Sequence, residues 1–342
     1  MLETIWFVLW MLLWAVYFIL DGFDLGLGSL LPFLAKNETE RRIVYNVSGP
    51  FWDGNEVWLI AAGGVTFAAF PRAYAVMFSA LYAPLLVLLF ALIFRAVSYE
   101  FRGKVESALW RSLWDGVHYF ANLVPALLLG VAFANLFMGI PVDAKGAYHG
   151  SLLGLLNPYG LAGGVFFVIV FCLHGALWLL LKSRDALRLR AIAAANFLWP
   201  LEVILLLVFL GLTWRFTHIF DIYLANPALF VLPVLAVVGV IATKVLLATG
   251  RLWSAWAAHG LFILGVTFFG VAGMYPGIII SSLDPAATVT VFNGASTQMT
   301  LKIMLGVALV MVPIVLCYQF WMYRLFSGPV TADSIADDRH AY

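Results

Sequence analysis

Residues 5–34 read IWFVLWMLLWAVYFILDGFDLGLGSLLPFL, an apolar run with only two charged side chains, Asp21 and Asp24. A transmembrane helix needs about 20 mainly apolar residues to cross a hydrocarbon core of ~30 Å. At a rise of ~1.5 Å per residue this run is longer than one crossing requires. The polar segment Asp21-Gly22-Phe23-Asp24 also interrupts the apolar run, and we expect the helix to tilt or to project from the bilayer.

The rest of the chain is also rich in apolar residues and poor in charged ones. Of its 342 residues 64% are hydrophobic and 11% charged, whereas soluble domains carry about 25% charged residues. The net charge of +1 gives no broad basic face for nucleic acid. Cys172 and Cys317 stand alone in apolar runs, which argues against a disulfide scaffold, a zinc site or covalently attached haem. The N-terminal residues lack a basic region and a cleavage site, so the first run is predicted to be retained.

Nine apolar runs are long enough to span a bilayer. They predict an all-α polytopic membrane protein that forms a single transmembrane domain over residues 1–342. The predicted helices are 5–34, 51–70, 74–97, 116–138, 157–181, 191–213, 228–249, 255–276 and 301–326.

The distribution of basic residues predicts the orientation, because cytoplasmic segments carry an excess of Lys and Arg. With the N-terminus outside, 15 of the 19 Lys and Arg are cytoplasmic and the other 4 are external. The C-terminus is then also cytoplasmic. The cytoplasmic group is Lys36, Arg41, Arg42, Arg95, Arg102, Lys104, Arg111, Lys182, Arg184, Arg188, Arg190, Lys244, Arg251, Arg324 and Arg339. The external group is Arg72, Lys145, Arg215 and Lys302.

Ionisable groups inside membrane helices are costly and mark candidates for function. In the segment 21–28, DGFDLGLG, Asp21 and Asp24 are three residues apart and share one face of a helix. The glycines of this segment allow another backbone to approach closely. Two interpretations remain open: a proton-conducting carboxylate pair, or acids at the cytoplasmic interface that are either hydrated or paired with Arg41 or Arg42.

A second acidic segment, 48–59, reads SGPFWDGNEVWL. Asp53 and Glu56 again lie on one helix face. A helix that begins at the membrane surface explains Asp53, because an acid there interacts favourably with the helix dipole. It does not explain Asn55 and Glu56, which lie deeper in an apolar helix, so this segment favours a functional role.

Arg95 closes the third run and alone would be an interfacial anchor. With four acids at the same membrane face, it becomes a candidate counter-charge. Asp115 and His118 are three apart where the fourth run begins, and Glu202 lies well inside the sixth. Lys302, at the outer edge of the ninth run, is interpreted as an anchor.

His174 lies inside the fifth run, where a histidine is a candidate haem ligand. No second ligand is spaced to match it, so the sequence predicts no haem and no metal bound by this chain. The remaining histidines are placed near the ends of runs, in loops or in the tail: His118, His149, His218, His259 and His340.

With these motifs the sequence resembles subunit II of the cytochrome bd quinol oxidases of bacterial and archaeal respiratory chains. The resemblance runs nearly end to end, and the two acidic segments in order are highly specific. The matching segments are 21–26 (DGFDLG), 39–42 (TERR), 52–59 (WDGNEVWL), 61–64 (AAGG), 94–95 (FR), 110–115 (WRSLWD), 130–135 (GVAFAN), 156–161 (LNPYGL) and 296–301 (STQMTL).

The resemblance implies an electron-transport complex that oxidises a membrane quinol and reduces oxygen to water. It implies a haem-bearing partner, subunit I, that carries haems b558, b595 and d, while subunit II binds none. It also implies a place in the bacterial cytoplasmic (inner) membrane among lipid. Some members hold a structural quinone in this subunit, but its residues here, the quinone type and any small accessory subunits stay open.

The roles attributed to subunit II in that family are support of subunit I, a proton route from the cytoplasm and an oxygen route toward haem d. Carried over by motif, the proton route involves Asp24 and Asp53 with Arg95 beside it. Trp58 marks the entrance of the oxygen route. Asp21 and Glu56 join the proton candidates, although some members carry Gln at the position of Glu56.

Two other classes of protein compete with this interpretation. A secondary transporter would place its coupling carboxylates on broken helices at the membrane midplane, whereas the acids here cluster toward one face. A purely structural partner would use the same acids only to bind subunit I.

Overall fold

The computed structural model describes residues 1–337. Arg339, which the sequence places in the cytoplasm, and His340 lie outside the described residues. The helices are α1 Leu2–Leu34, α2 Glu38–Ser48, α3 Trp52–Ala69, α4 Pro71–Ala80, α5 Tyr82–Phe101, α6 Ala108–Met138, α7 Pro158–Lys182, α8 Asp185–Phe216, α9 Ile219–Ala225, α10 Val231–Ala248, α11 Leu252–Ala272, α12 Gln298–Leu325 and α13 Ala332–Asp337. One short antiparallel pair is formed by β1 Gly277–Ile279 and β2 Val289–Thr290.

The predicted all-α polytopic membrane fold is confirmed. Within residues 1–337, 8 helices are long and apolar enough to cross a membrane, one fewer than the nine predicted. The predicted span 51–70 forms α3, whose first two turns carry polar side chains, and its crossing of the membrane stays a prediction. The 8 helices are α1, α5, α6, α7, α8, the helical segment Pro227–Ala248 that contains α10, α11 and α12.

The third predicted run, 74–97, is not one helix but two, α4 and α5, which separate at Leu81. Pro84 lies in the first turn of α5. Proline lacks the N–H of a helical hydrogen bond, and its ring clashes with the carbonyl four residues earlier. A continuous helix through this point is therefore disfavoured, while the first turn of a new helix tolerates proline.

The first helix passes through the acidic segment without a break, so the predicted helix 5–34 is one continuous helix. Its 33 residues correspond to a length of about 50 Å. α1 is the central helix and packs against α3, α6, α7 and α11. Those neighbours surround Asp21 and Asp24, which keep helical geometry because their partners come from adjacent helices.

The close helix approach predicted from the glycines is confirmed at Gly26. A Cβ there would lie 1.7 Å from the carbonyl oxygen of Phe171 on α7. On the facing helix, a Cβ at Gly175 would lie 2.5 Å from the backbone nitrogen of Leu27. Only glycine permits two backbones to touch in this way, which is typical of membrane helix packing.

The connections at the ends of α6 and α11 form one small layer. The backbone N–H of Ile140 donates to Ile280, and that of Ser282 donates to Ile140. In the loop after α6, a hydrogen bond from His149 holds the pKa of Asp143 below its usual range. This layer lies at the opposite end of α6 from the ion pairs described below.

We expect Gly26→Ala to destabilise the protein, because the methyl group would meet a backbone atom that cannot turn aside. Overpacking of this kind costs about 1–3 kcal/mol, which a lower midpoint of thermal unfolding would report. The control is Gly211→Ala on α8, where an added Cβ meets nothing within 4 Å. Equal midpoints for the two variants would contradict the close contact.

The orientation stays a prediction that cysteine labelling can test. Ser282 and Ser327 are exposed at opposite ends of the bundle, and Cys317 is replaced by Ser to remove the exposed native thiol. In intact cells a membrane-impermeant maleimide should label Ser282→Cys, and should label Ser327→Cys only after permeabilisation. The reverse pattern would refute the predicted orientation.

Candidate functional site

The centre of the site is Arg95, the most deeply placed charged residue of α5. Its side chain is fully buried, and its Nη1 lies 2.8 Å from Asp21 Oδ1 and donates to Asp21 Oδ2 at 3.0 Å. Its Nη2 donates to Glu56 Oε2 at 2.7 Å. Three helices, α1, α3 and α5, thus meet at one guanidinium. Of the predicted candidates, the structure brings Asp21, Glu56 and Arg95 into direct contact.

Asp24 lies one helical turn from Asp21 and is 1% exposed. Asn55 Nδ2 donates to Asp24 Oδ2 at 2.7 Å, and Asp24 Oδ1 has no hydrogen-bond partner among residues 1–337. Burial at this depth excludes the alternative in which Asp21 and Asp24 are hydrated at the interface. The cluster therefore contains three carboxyl groups, those of Asp21, Asp24 and Glu56, for one guanidinium.

Asn55 joins this cluster to α12. Its Oδ1 accepts a hydrogen bond from Tyr323 Oη at 2.9 Å. Gln319, one turn earlier on α12, accepts at its Oε1 from Trp58 Nε1 at 2.9 Å. The sequence reasoning missed Gln319 and Tyr323. The sequence does show that these two polar residues are four apart in an otherwise apolar helix. This spacing places them on one helix face but does not indicate which residues they contact.

Asp53 and Trp58, two further predicted candidates, lie at different depths of α3. Asp53 is on the exposed face, one turn before Glu56, and Glu56 itself keeps 22% of its side chain exposed. Trp58 is buried and its indole is held by Gln319. The acids of α3 thus run from the protein surface at Asp53 to the buried guanidinium.

A second ion cluster lies at the same end of the bundle. Arg102 Nε donates to Asp115 Oδ1 at 2.6 Å, while its Nη1 and Nη2 donate to Glu38 Oε1 and Oε2, each at 2.9 Å. Arg41 donates to Asp115 Oδ2 at 2.8 Å. The interpretation of Arg41 as the partner of Asp21 is therefore wrong. His118, three residues from Asp115, contacts Ser98 Oγ at 2.8 Å through its Nδ1.

His174 is not close to the ion clusters but contacts another histidine. Its Nδ1 lies 3.0 Å from Nδ1 of His259, and His259 Nε2 lies 2.9 Å from Glu202 Oε2. The prediction that His259 lies near the end of its helix is wrong. α11 begins at Leu252, so His259 lies two turns inside and is fully buried. Lys302, the predicted anchor, is exposed on α12.

No group of three or more His, Cys, Asp or Glu side chains converges on a metal position anywhere in residues 1–337. Cys172 and Cys317 are both free thiols.

Membrane-length helices that enclose a guanidinium and several carboxyl groups define a polytopic membrane protein with ionisable groups inside its bundle. The model of the family described as cytochrome bd terminal oxidase subunit II matches residues 2–326, and the chain belongs to this family. The resemblance noted in the sequence is thereby confirmed.

Relatives of known name match over nearly the whole chain. Cytochrome bd ubiquinol oxidase subunit 2 of Bacillus subtilis is 36% identical over 334 residues, 96% of this chain and 97% of the relative. Cytochrome bd-I ubiquinol oxidase subunit 2 of Escherichia coli K12 is 34% identical over 376 residues, with 99% and 98% covered. A chain of the bd oxidase from Geobacillus thermodenitrificans has the same fold, with a TM-score of 0.78, 18% identity and coverage of 95% and 98%.

We expect Arg95→Gln to be strongly destabilising, because it leaves Asp21 and Glu56 buried without their counter-charge. Breaking a buried ion pair from one side costs about 3–5 kcal/mol. The midpoint of thermal unfolding should fall well below that of a control, Arg215→Gln, at the exposed end of α8. Adding Asp21→Asn to Arg95→Gln should restore part of the loss. A double variant as unstable as the sum of the singles would argue against the pair.

Proposed function

We propose that this chain supports a haem-bearing partner subunit of a quinol oxidase and conducts protons toward it through α1, α3 and α5. Its relatives in Bacillus subtilis and Escherichia coli are named as subunits of ubiquinol oxidases. The observation that carries the proton route is the composition of the Arg95 cluster.

Two carboxyl groups contact one guanidinium, and a third, that of Asp24, lies one helical turn from Asp21 in a largely buried region. Ionising all three would leave two uncompensated negative charges in a low-dielectric interior, which is strongly unfavourable. Charge balance therefore favours a cluster in which at least one of the three carboxyl groups keeps its proton. A cluster that keeps exchangeable protons on closely spaced oxygens has the basic requirement of a relay.

The placement of the acids supports a direction of travel. Asp53 is exposed, Glu56 is partly exposed one turn deeper, and Asp21 shares Arg95 with Glu56. Asp24 continues the series along α1 and is held by Asn55. Under the predicted orientation this route starts in the cytoplasm. Water molecules between these groups would complete the transfer, as in other intramembrane relays.

This direction fits the chemistry of a quinol oxidase. Reduction of one oxygen molecule to water consumes four protons, while oxidation of quinol releases protons. If uptake is cytoplasmic and release external, the complex separates charge without a pump. Haems b558, b595 and d would reside in subunit I, which this chain would support as the second member of a heterodimer in the inner membrane.

The competing classes are less well supported by the geometry. A transporter needs broken helices around a substrate cavity, whereas α1 is continuous through its acids. A purely structural partner would bind subunit I through exposed acids, whereas Asp21 and Asp24 are occupied inside the chain. Asp53 alone is placed to serve either role.

An oxygen route entering near Trp58 remains a second proposal. An apolar cavity of about 80 Å³ is enclosed by α1, α6, α7, α8, α10 and α11, with Phe18, Phe133 and Phe166 in its wall. Its volume and apolar lining suit a small nonpolar gas. Trp58 is not among its lining residues, so a second passage would have to link the two.

Asp24→Asn and Glu56→Gln should each reduce oxygen consumption, because each removes a group that can accept and release a proton. Loss of a positioned proton-transfer group costs roughly a hundredfold. The haem absorbance spectrum of the purified complex should be unchanged. Asp221→Asn is the control, since Asp221 is exposed and contacts only His218 among its charged neighbours. Full turnover of both test variants would leave only the structural role.

If this chain binds no haem, His174→Gln should leave every haem band of the complex in place. A glutamine can keep one acceptor toward His259 and one donor toward Ile19, so the packing should survive. Optical spectra of the oxidised and reduced complex provide the measurement. Loss of one haem per complex in this variant would make His174 a haem ligand and overturn the assignment.

A further inference from the structure

Three ionisable side chains form a continuous row in the middle of the bundle, apart from the Arg95 cluster. They are Glu202 of α8, His259 of α11 and His174 of α7, each with 0% exposure. Their contacts are 2.9 Å from Glu202 to His259 and 3.0 Å between the two histidines. The row ends at the carbonyl oxygen of Ile19 on α1, 3.0 Å from His174 Nε2.

The chemistry of this last contact fixes the protons along the whole row. A carbonyl oxygen can only accept, so His174 Nε2 carries a proton. When His174 is neutral, its Nδ1 is then an acceptor, and His259 Nδ1 must donate to it. One proton remains to be shared between His259 Nε2 and Glu202 Oε2. In the uncharged state that proton belongs to Glu202, which is a carboxylic acid.

The surroundings suit two positions of that proton. At one end, Glu202 Oε1 has no hydrogen-bond partner in the part of the chain that the structure describes, which favours the neutral acid over a buried carboxylate. At the other end, the ring of His174 is stacked on that of Trp256, with centroids 5.1 Å apart and an interplanar angle of 11°. An imidazolium on this indole face gains a cation–π interaction.

The row is suited to a proton and not to a metal ion. Its nitrogen and oxygen atoms bond to one another in sequence instead of pointing to a common centre, consistent with the absence of a metal-binding group in residues 1–337. It is also a dead end, because the carbonyl of Ile19 cannot pass a proton on. A proton that moves along this row can therefore be held there but cannot leave at the Ile19 end, so the row stores charge.

We propose that Glu202, His259 and His174 form a one-proton store that responds to the charge of the complex. In its shifted state the O–H bond of Glu202 breaks and an N–H bond forms at His259 Nε2. The proton on His259 Nδ1 passes to His174 Nδ1, which becomes an imidazolium. No electron moves, and the net effect is one positive charge displaced from α8 toward α1.

The trigger rests on the proposed function, since arrival of an electron on a haem of the partner supplies the field. The row ends on α1 at Ile19, two residues before Asp21 in the sequence, so the shifted charge would move toward the helix that carries two acids of the Arg95 cluster. A store in this place could compensate an electron before a proton arrives from the cytoplasm.

The test is infrared difference spectroscopy of the intact complex, reduced minus oxidised. We expect a change in the C=O stretching band of a protonated carboxyl, shifted in D₂O, that is lost in Glu202→Gln. The Gln amide can still donate to His259, so the packing should hold. His174→Gln should keep the carboxyl absorption but abolish its redox response. Thr243→Val, which removes another buried hydrogen bond on α10, is the control and should match the wild type.

Several results would overturn the store. One is a difference spectrum of Glu202→Gln that equals the wild type. Another is a redox response that persists in His174→Gln, because the proton would then stay between Glu202 and His259. If Glu202→Gln does not assemble, the His174→Gln comparison decides. Oxygen consumption by the Asp24 and Glu56 variants tests the proton route separately, so the failure of either idea can be recognised.

Discussion

The structure depends on one buried interaction, the contact of the Arg95 guanidinium with Asp21 and Glu56. A guanidinium inside a bilayer is unfavourable unless acids neutralise it and accept its hydrogen bonds. Here the acids come from α1 and α3, so three helices are tied together at one point. The continuous course of α1 through its acidic segment and the position of α3 follow from this arrangement. Asp24 adds a third carboxyl group beside this ion pair, and for this reason we propose that the cluster also holds a proton.

Both ion clusters lie at one end of the bundle, and this asymmetry links topology to function. Arg102, Asp115, Glu38 and Arg41 form a second network at that end, while the opposite end carries the small β-layer. The bundle thus has one end with many buried charges, where we propose that protons are collected, and one end with few. The row of Glu202, His259 and His174 adds ionisable groups deeper in the bundle, where all three side chains are fully buried.

The sequence predicted a large part of this arrangement and missed the rest for physical reasons. Asp21, Glu56 and Arg95 could be grouped because each is a charge in an apolar run. Whether Asp53 or Asn55 faces α1 depends on the rotation of α3, which packing alone decides. Gln319 and Tyr323 lie more than 260 positions from Asn55, and local pattern cannot pair such distant residues. His259 was misplaced because the start of α11 could not be located to within a turn.

The central claim is that protons enter at the end of the bundle that carries the acids. It is tested most directly by attaching a pH-sensitive dye to Ser327→Cys or to Ser282→Cys, with Cys317 replaced, and following each dye as the complex reduces oxygen in vesicles. We expect a rise in local pH at Ser327 and no rise at Ser282, the end at which the proposed quinol oxidation would release protons. A rise in pH confined to the Ser282 end would contradict it.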